Sequence, residues 1–208
     1  ETSNNGDDFK PFITPGITAQ YNLHFGSENL YNHFSLGADY QSMKMTEHLF
    51  AVPDGDHINN NRVDSYWSEE VFDLNKMLIS QVIRQRSLGV FLIDKLDISK
   101  KLYALLNLRY DYVYNRLDSS TISDNKTFGK PTFRIGLAYD IAKAVNIYAS
   151  YGSGFQVPTE DELYNNPVKY GGFNELIKPS TSMGGELGVR GEIGRTFYYD
   201  VTGFLINS

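Results

Sequence analysis

The sequence predicts an all-β fold, an antiparallel transmembrane β-barrel, and three patterns support this prediction. Apolar and polar residues alternate along most of the chain, as they do on strands that have one apolar and one polar face. The connections between these runs are alternately short and long, which is typical of membrane barrels with short periplasmic turns and long extracellular loops. The polar faces carry charges at mid-strand, including Arg109, Asp111 and Arg134, and a wide aqueous lumen tolerates them.

About eight strands are predicted from this alternation. The clearest is residues 102–115, in which Leu106 and Leu108 share one face and Asn107 and Arg109 share the other. No apolar run approaches the roughly 18 residues that would indicate a membrane helix. The remaining strands are predicted at residues 9–25, 33–46, 77–96, 132–141, 145–153, 182–190 and 196–207.

The connections give the expected orientation in the membrane. Tight turns are predicted at residues 26–31, 95–100, 142–144 and 191–195, and long polar loops at residues 49–76, 116–131 and 156–181. Structureless loops longer than about 15 residues are uncommon in compact soluble domains, so the long loops are placed outside the cell. The first strand then runs toward the periplasm, and an outer girdle of aromatic side chains is expected at Tyr110, Tyr112 and Tyr114.

The predicted strand at residues 77–96 changes phase partway along. Its apolar residues are odd-numbered up to Ile83 and even-numbered from Leu88 onward. A bulge near Gln85 would explain the change, because a slip of one residue exchanges the two faces. Alternatively, the first half stands above the membrane, where neither face meets lipid. We prefer the second explanation, because Arg84 lies at the change and a lipid-facing arginine at mid-membrane costs roughly 2–4 kcal/mol.

A more specific signal lies near the end of the chain. The residues read YASYGSGFQVPTEDELY from Tyr148 and LIKPSTSMGGELGVRG from Leu176. This order resembles the barrel of TonB-dependent outer-membrane receptors, in which a strand ending in Y-x-S-x-G-F-x-x-P-T-x-x-E-L-Y leads through an extracellular loop to L-K-P-E-x-S and then E-L-G-V-R/K-G. Ser180 stands where that family often has Glu. The matching residues are Phe155, Pro158, Thr159, Glu162, Leu163, Tyr164, Lys178, Pro179, Ser182, Glu186, Leu187, Gly188, Val189 and Gly191.

The resemblance implies that this chain is an interior segment of a larger barrel domain. The family barrel has roughly 22 strands and encloses an N-terminal plug. Residues 1–208 are therefore expected to form one partial barrel domain, without the plug, the segment that engages TonB, or the C-terminal strands. The resemblance also implies a receptor in the outer membrane of a Gram-negative bacterium that takes up an iron chelate. Its expected partners are outer-membrane lipid, an iron–siderophore or haem ligand, and the TonB complex, which acts through the plug.

Candidate ligand-binding residues lie in two of the long loops. Aromatic side chains with polar neighbours at the mouth of a barrel are common components of a small-molecule site. The alternative is that these aromatics only pack the loops onto one another. Packing is preferred for the loop at residues 49–76, whereas packing and ligand binding are given equal weight for the loop at residues 156–181. The candidates are Tyr66, Trp67, Tyr164, Lys169, Tyr170 and Phe173.

The sequence gives little indication of catalysis or of metal binding. No Ser-His-Asp order or carboxylate pair is recognisable, so no catalytic residue, cofactor or metal is expected and the chain is not predicted to be an enzyme. His24 and His33 flank a predicted periplasmic turn and are expected to be solvated. Residues 53–57 supply oxygen ligands but lack the later bidentate glutamate of an EF-hand loop, so a solvated turn is preferred there over a calcium site.

Two other classes of protein remain as alternatives. One is a small complete outer-membrane barrel, either an enzyme acting on lipids or an adhesin. The other is a soluble β-sandwich binding protein, whose strands would alternate in the same way. Nucleic acid is not an expected partner, because the net charge is −6 and nucleic-acid surfaces are basic.

The loops at residues 49–76 and 156–181 are predicted to lie on the same side of the membrane. Epitope tags inserted at Asn60 and Gly171 of the full-length protein should both bind antibody on intact cells, because both loops face outward. A tag in the predicted periplasmic turn, at Asp97, should bind antibody only after the cells are permeabilised. Labelling of the Asp97 tag on intact cells would contradict the strand directions.

Overall fold

The computed structural model describes residues 8–9, 12–27, 30–50, 77–142, 144–159, 162–163, 172–194 and 196–208. These residues form a single antiparallel sheet. No helix in these ranges has the length and apolarity needed to cross a membrane. In chain order the strands are β1 (Asp8–Phe9), β2 (Phe12–Ile13), β3 (Gly16–Ser27), β4 (Leu30–Phe50), β5 (Met77–Asp97), β6 (Leu102–Ser119), β7 (Ser123–Ala142), β8 (Val145–Gln156), β9 (Ser180–Ile193) and β10 (Phe197–Asn207).

The sheet is a meander in which each long strand pairs with its neighbours in sequence. The order runs from β4 to β10, and β1, β2 and β3 all pair with β4. Because β1 and β2 continue the line of β3 along β4, these three segments form one interrupted edge strand. Counted in this way, the described residues form the eight antiparallel strands that the sequence predicts. Within these residues the sheet is open, with the interrupted strand at one edge and β10 at the other.

The prediction of a long loop at residues 116–131 is wrong. β6 continues to Ser119 and β7 begins at Ser123, so a tight turn joins the two strands. The polar residues on either side of this turn are in regular register, with Asn115 opposite Lys126. Polar composition indicates a loop only where a strand would have to face lipid. Strands that extend above the membrane can be polar and still form a ladder.

The two faces of the sheet differ in chemistry. One face carries exposed aliphatic and aromatic side chains, among them Leu108 (43% exposed), Tyr110 (50%) and Leu137 (57%). Asn107 and Arg109 alternate with these residues along β6 and lie on the opposite face, as predicted. A contiguous apolar surface of this kind marks a site of interaction with lipid or another protein. The apolar side is therefore the outer face of the barrel wall, and the polar side is the lumen face.

The outer face changes from apolar to charged toward one end of the sheet. On β5 and β6 the exposed apolar side chains continue to Leu88 and Tyr112, which lie opposite each other in the ladder. Beyond them the same face carries Arg84, Arg116 and Asp118, with Arg84 Nη1 at 2.6 Å from Asp118 Oδ2. Because an arginine facing lipid at the midplane costs about 2–4 kcal/mol, this end of the sheet stands outside the bilayer. It is the end that the connections predict to be extracellular.

The phase change in β5 occurs at the same height as the change from apolar to charged side chains on the outer face. Pairing is continuous through Met43, Gln85 and Asn115, so the alternative of a bulge near Gln85 is wrong. Ile83 lies on the lumen side and is 1% exposed, while Leu88 lies on the outer face and is 45% exposed. β4 and β5 have 21 residues each, whereas about 9–11 residues cross a bilayer. Both strands therefore extend well above the membrane.

Charged side chains on the lumen face are paired within and across strands. Arg109 contacts the carboxylates of Asp39 (Nη1–Oδ2, 2.8 Å) and Asp111 (Nη2–Oδ1, 2.7 Å). Arg134 on β7 reaches Glu186 on β9 (Nη2–Oε1, 2.5 Å). Half-exposed pairs of this kind each contribute at most about 1 kcal/mol to stability. Their main structural effect is to hold long polar side chains along the wall of the lumen.

A pair of arginine substitutions distinguishes the two faces. In the full-length protein, Tyr21→Arg is expected to lower the free energy of unfolding by about 2–4 kcal/mol, because it places a charge in hydrocarbon. Gln20→Arg, its neighbour on the lumen face, is expected to change it by about 0.5 kcal/mol or less. Denaturant unfolding in lipid vesicles measures both. Equal losses, or a larger loss for Gln20→Arg, would contradict the assignment of the faces.

Candidate functional site

A buried apolar cluster lies on the lumen side of the extracellular end, and we call it the mouth cluster. Four of its members come from β4, β5, β6 and β7, and two come from the segment between β8 and β9, which also contributes the partly buried Val157 and Ile177. All six members are at most 7% exposed. The described residues of this segment therefore fold inward over the wall. The members are Met45, Ile83, Leu117, Phe128, Leu163 and Phe173.

The first part of this segment is shaped by a capping box between Thr159 and Glu162. The Thr159 amide donates to the Glu162 carboxylate (2.8 Å), and the Glu162 amide donates to the Thr159 hydroxyl (3.4 Å). The Leu163 amide donates to the Thr159 carbonyl (3.0 Å) and completes the turn. The P-T-x-x-E-L sequence thus has a physical role, because the turn that it forms directs Leu163 into the mouth cluster.

The second part of the segment contains Phe173 and is held through its backbone. The Asn174 amide donates to the Leu163 carbonyl (2.7 Å), which joins the two parts. The Phe173 amide donates to the Asp124 carboxylate (2.9 Å), and the Lys126 ammonium donates to the Asn174 carbonyl. Asp124 and Lys126 lie on β7. The barrel wall therefore holds the segment by polar contacts while the Phe173 ring is buried.

A buried amide supports the wall beside the mouth cluster. Asn115 is 1% exposed; its Oδ1 accepts from Gln85 Nε2 (2.9 Å), and its Nδ2 donates to the Lys126 carbonyl (3.4 Å). A buried amide without partners would cost about 1–3 kcal/mol. The ammonium of Lys126 also lies 5.7 Å from the centroid of the Phe128 ring. Apolar and polar contacts at the mouth are therefore interlocked across β5, β6 and β7.

In this arrangement, Leu163 and Phe173 pack over the apolar side chains that the wall contributes to the mouth cluster. If the segment between β8 and β9 lifts away, it exposes the apolar members on the wall together with the carboxylate of Asp124 and the ammonium of Lys126. An apolar surface with a few convergent polar groups is the usual composition of a small-molecule site.

Only one of the residues predicted to bind ligand lies in the described part of the chain. Phe173 is a member of the mouth cluster and is 2% exposed. Its role in ligand binding stays a prediction, and that role requires the segment to open. Outside the described residues lie Tyr66, Trp67, Tyr164, Lys169 and Tyr170.

Asp124 and Lys126 belong to the site although the sequence assigns them to a predicted loop. The signal for a strand there is a single apolar residue, Phe128, which follows the polar run from Asp124 to Thr127. The signal is weak because polar residues occupy both faces at this height. It becomes clear only once the strand is known to stand above the bilayer.

The sheet and its covered mouth define a segment of an outer-membrane barrel wall, and one protein family matches the chain over nearly its full length. Residues 2–207 match the family described as TonB dependent receptor-like, beta-barrel. The protein therefore belongs to the TonB-dependent receptor β-barrel family, as the motif beginning at Tyr148 predicts. Members of this family are outer-membrane barrels of Gram-negative bacteria, so the predicted fold class and location are confirmed.

Several solved structures and one curated relative are similar to parts of the chain. The unliganded ferric citrate transporter FecA aligns with a TM-score of 0.73 and 16% identity, covering 96% of this chain and 28% of that one. The ferric-catecholate import receptor Fiu from K12 E. coli aligns with a TM-score of 0.67 and 14% identity, covering 96% and 31%. The Haemophilus influenzae protein named "Probable hemoglobin and hemoglobin-haptoglobin-binding protein 4" is 33% identical over 79 residues, which are 38% of this chain and 8% of that protein. The matched region is less than a third of each relative.

Removal of the Phe173 ring is expected to release the segment from the wall. In the full-length receptor, Phe173→Ala should weaken docking by about 3–5 kcal/mol, the usual cost of removing a buried phenylalanine ring. Hydrogen exchange at the Leu163 and Asn174 amides should then rise by about a hundredfold or more. Leu176→Ala is the matched control, because Leu176 lies in the same segment and is 67% exposed. Unchanged exchange in Phe173→Ala would contradict the docking.

Proposed function

We propose that this chain forms part of the barrel of a receptor that imports an iron chelate, a siderophore or haem, across the outer membrane. The observation that carries the proposal is the covered mouth, in which a segment folds into the lumen and is held against an apolar wall by Asp124 and Lys126. The named substrates of similar proteins support this class, because they are ferric citrate, a ferric catecholate and hemoglobin.

The residues predicted to bind ligand suit such a substrate chemically. Siderophores and haem are organic chelates with planar or apolar parts and ionised oxygen groups. Aromatic side chains can contact the planar or apolar parts, and a cationic side chain can attract the ionised oxygen groups. We assign these roles to six residues of the two loops, with Lys169 as the cation and the aromatic contacts from Tyr66, Trp67, Tyr164, Tyr170 and Phe173.

The segment between β8 and β9 carries both the docked residues and four of the proposed ligand contacts. Movement of this segment would therefore change the exposure of the mouth cluster and the position of the ligand contacts together. A ligand that binds only one of the two arrangements shifts the balance between them by its difference in affinity. We infer that docking of the segment and binding of the chelate are coupled.

The proposal extends to the rest of the receptor. The chain covers 28% of FecA and 31% of Fiu, and we infer that the lumen face lines a barrel that also holds a plug, through which TonB supplies energy. In this role the protein is a transporter and not an enzyme. A soluble β-sandwich would have to bury the face on which Leu108 and Tyr110 are exposed, so that alternative is not favoured.

Iron uptake by cells tests the proposal. In a strain that lacks the native receptor, the full-length protein is expected to restore uptake of radioactive iron from one member of a panel of ferric citrate, a ferric catecholate and haem. The uptake should be lost when TonB is deleted, because the energy reaches the barrel through it. Uptake of none of these chelates, or uptake that persists without TonB, would contradict the proposal.

A further inference from the structure

Two histidines meet across the hairpin formed by β3 and β4, at the end of the sheet opposite the mouth cluster. His24 and His33 lie directly opposite each other in the ladder, and their Nδ1 atoms are 3.1 Å apart. Opposite residues of an antiparallel pair have Cβ atoms about 4.5–5.5 Å apart, so two imidazole rings can converge on one point. The two residues are on different strands, and this explains why spacing along one element does not show the pair.

Neighbouring groups orient the His33 ring. Its Nε2 lies 3.2 Å from an Asp97 carboxylate oxygen, and the Tyr31 ring packs edge-on against it with centroids 5.0 Å apart. Lys95 Nζ lies 3.3 Å from the other oxygen of Asp97 and balances its charge. Because Nε2–H of His33 donates to Asp97, a neutral His33 presents the Nδ1 lone pair toward His24.

The pair is open to the lumen and offers two nitrogen ligands. The His33 side chain is 36% exposed, and His24 lies on an exposed strand. Among the described residues, no group of three or more His, Asp or Glu side chains is placed to hold a metal ion. Any ion at this point would therefore take two ligands from the protein and complete its coordination with water.

We propose that His24 and His33 form a two-histidine site for a divalent transition-metal ion of the Zn²⁺ and Cu²⁺ type. Imidazole nitrogen suits these ions, whereas Mg²⁺ and Ca²⁺ prefer oxygen ligands. Zinc–nitrogen bonds of about 2.0–2.1 Å in a tetrahedral site place two ligand nitrogens a little more than 3 Å apart, as these two already are. To bind the ion, each ring must turn away from the line that joins the two nitrogens so that both lone pairs point at the metal.

Metal binding requires no net loss of a proton from the pair. When both imidazoles are neutral, Nδ1–H of His24 donates to Nδ1 of His33. When the ion binds, the proton of His24 moves to Nε2 through water, and both Nδ1 atoms become ligands. His33 keeps its Nε2–H and its bond to Asp97. A carboxylate that accepts from the second nitrogen of a metal-bound histidine is the usual outer partner in such sites, so Asp97 is a positioning residue.

Copper binding to the full-length receptor in detergent tests the site. With one equivalent of Cu²⁺, electron paramagnetic resonance should show hyperfine coupling to two nitrogens that disappears in His24→Asn and in His33→Asn. His48→Asn, a substitution elsewhere on β4, is the matched control and should leave the signal unchanged. Competition with a coloured chelator should show at least about tenfold weaker Zn²⁺ binding in the two variants, and excess Mg²⁺ or Ca²⁺ should not displace the ion.

Asp97→Asn separates positioning from ligation. It is expected to weaken Zn²⁺ binding by about tenfold while the number of coupled nitrogens stays at two. All variants should keep the mobility of a folded barrel on unheated gels, so that a lost signal reports the site itself. A copper signal that survives both His24→Asn and His33→Asn would overturn the proposal. Iron-chelate uptake is measured separately, so failure of either proposal leaves the other standing.

Discussion

The structure depends on one constraint, which is that each part of a strand must match the medium that it meets. Between the two membrane surfaces the outer face meets hydrocarbon and carries residues such as Leu108 and Leu137. Above the membrane the same face meets water, and it carries the ion pair of Arg84 with Asp118. The backbone is a continuous ladder through both regions. Only the side chains change, and they change at the height of Leu88 and Tyr112.

The covered mouth is a consequence of this constraint. Where the outer face becomes polar, the strands place apolar side chains such as Ile83 and Phe128 toward the lumen. These apolar side chains are shielded from water by Leu163 and Phe173 of the segment between β8 and β9. Strand extension above the membrane and loop docking are therefore parts of one arrangement. The described residues of this segment therefore contact the lumen face of the wall at one end of the sheet.

The lumen face carries two kinds of polar chemistry at different heights. Along the wall, charges occur in pairs such as Arg109 with Asp39, and paired charges leave little free capacity for an ion. At the end of the sheet opposite the mouth cluster, His24 and His33 are adjacent. Neutral imidazoles keep lone pairs that a metal ion can use. The proposed metal site therefore lies at one end of a lumen face that otherwise carries paired charges.

The sequence by itself determined the strands that cross the membrane, their two faces and the family. Alternation is a local property, and the positions of Leu106, Asn107, Leu108 and Arg109 express it without reference to the rest of the chain. The motif beginning at Tyr148 is also local, and its Thr159–Glu162 pair encodes a turn that forms within four residues.

Only the tertiary structure decided that most of residues 116–131 form strands, that Phe173 is buried in the mouth cluster, and that His24 contacts His33. Whether a polar stretch is a loop or a strand depends on its height relative to the bilayer, and for this reason residues 116–131 are misassigned from composition. The burial of Phe173 depends on Met45 and Ile83, which are distant in sequence. The contact of His24 with His33 depends on the register of a hairpin. The position of a strand relative to the bilayer, the docking of the segment between β8 and β9, and the pairing of His24 with His33 all depend on contacts between residues that are distant in sequence. A local sequence pattern does not contain these contacts.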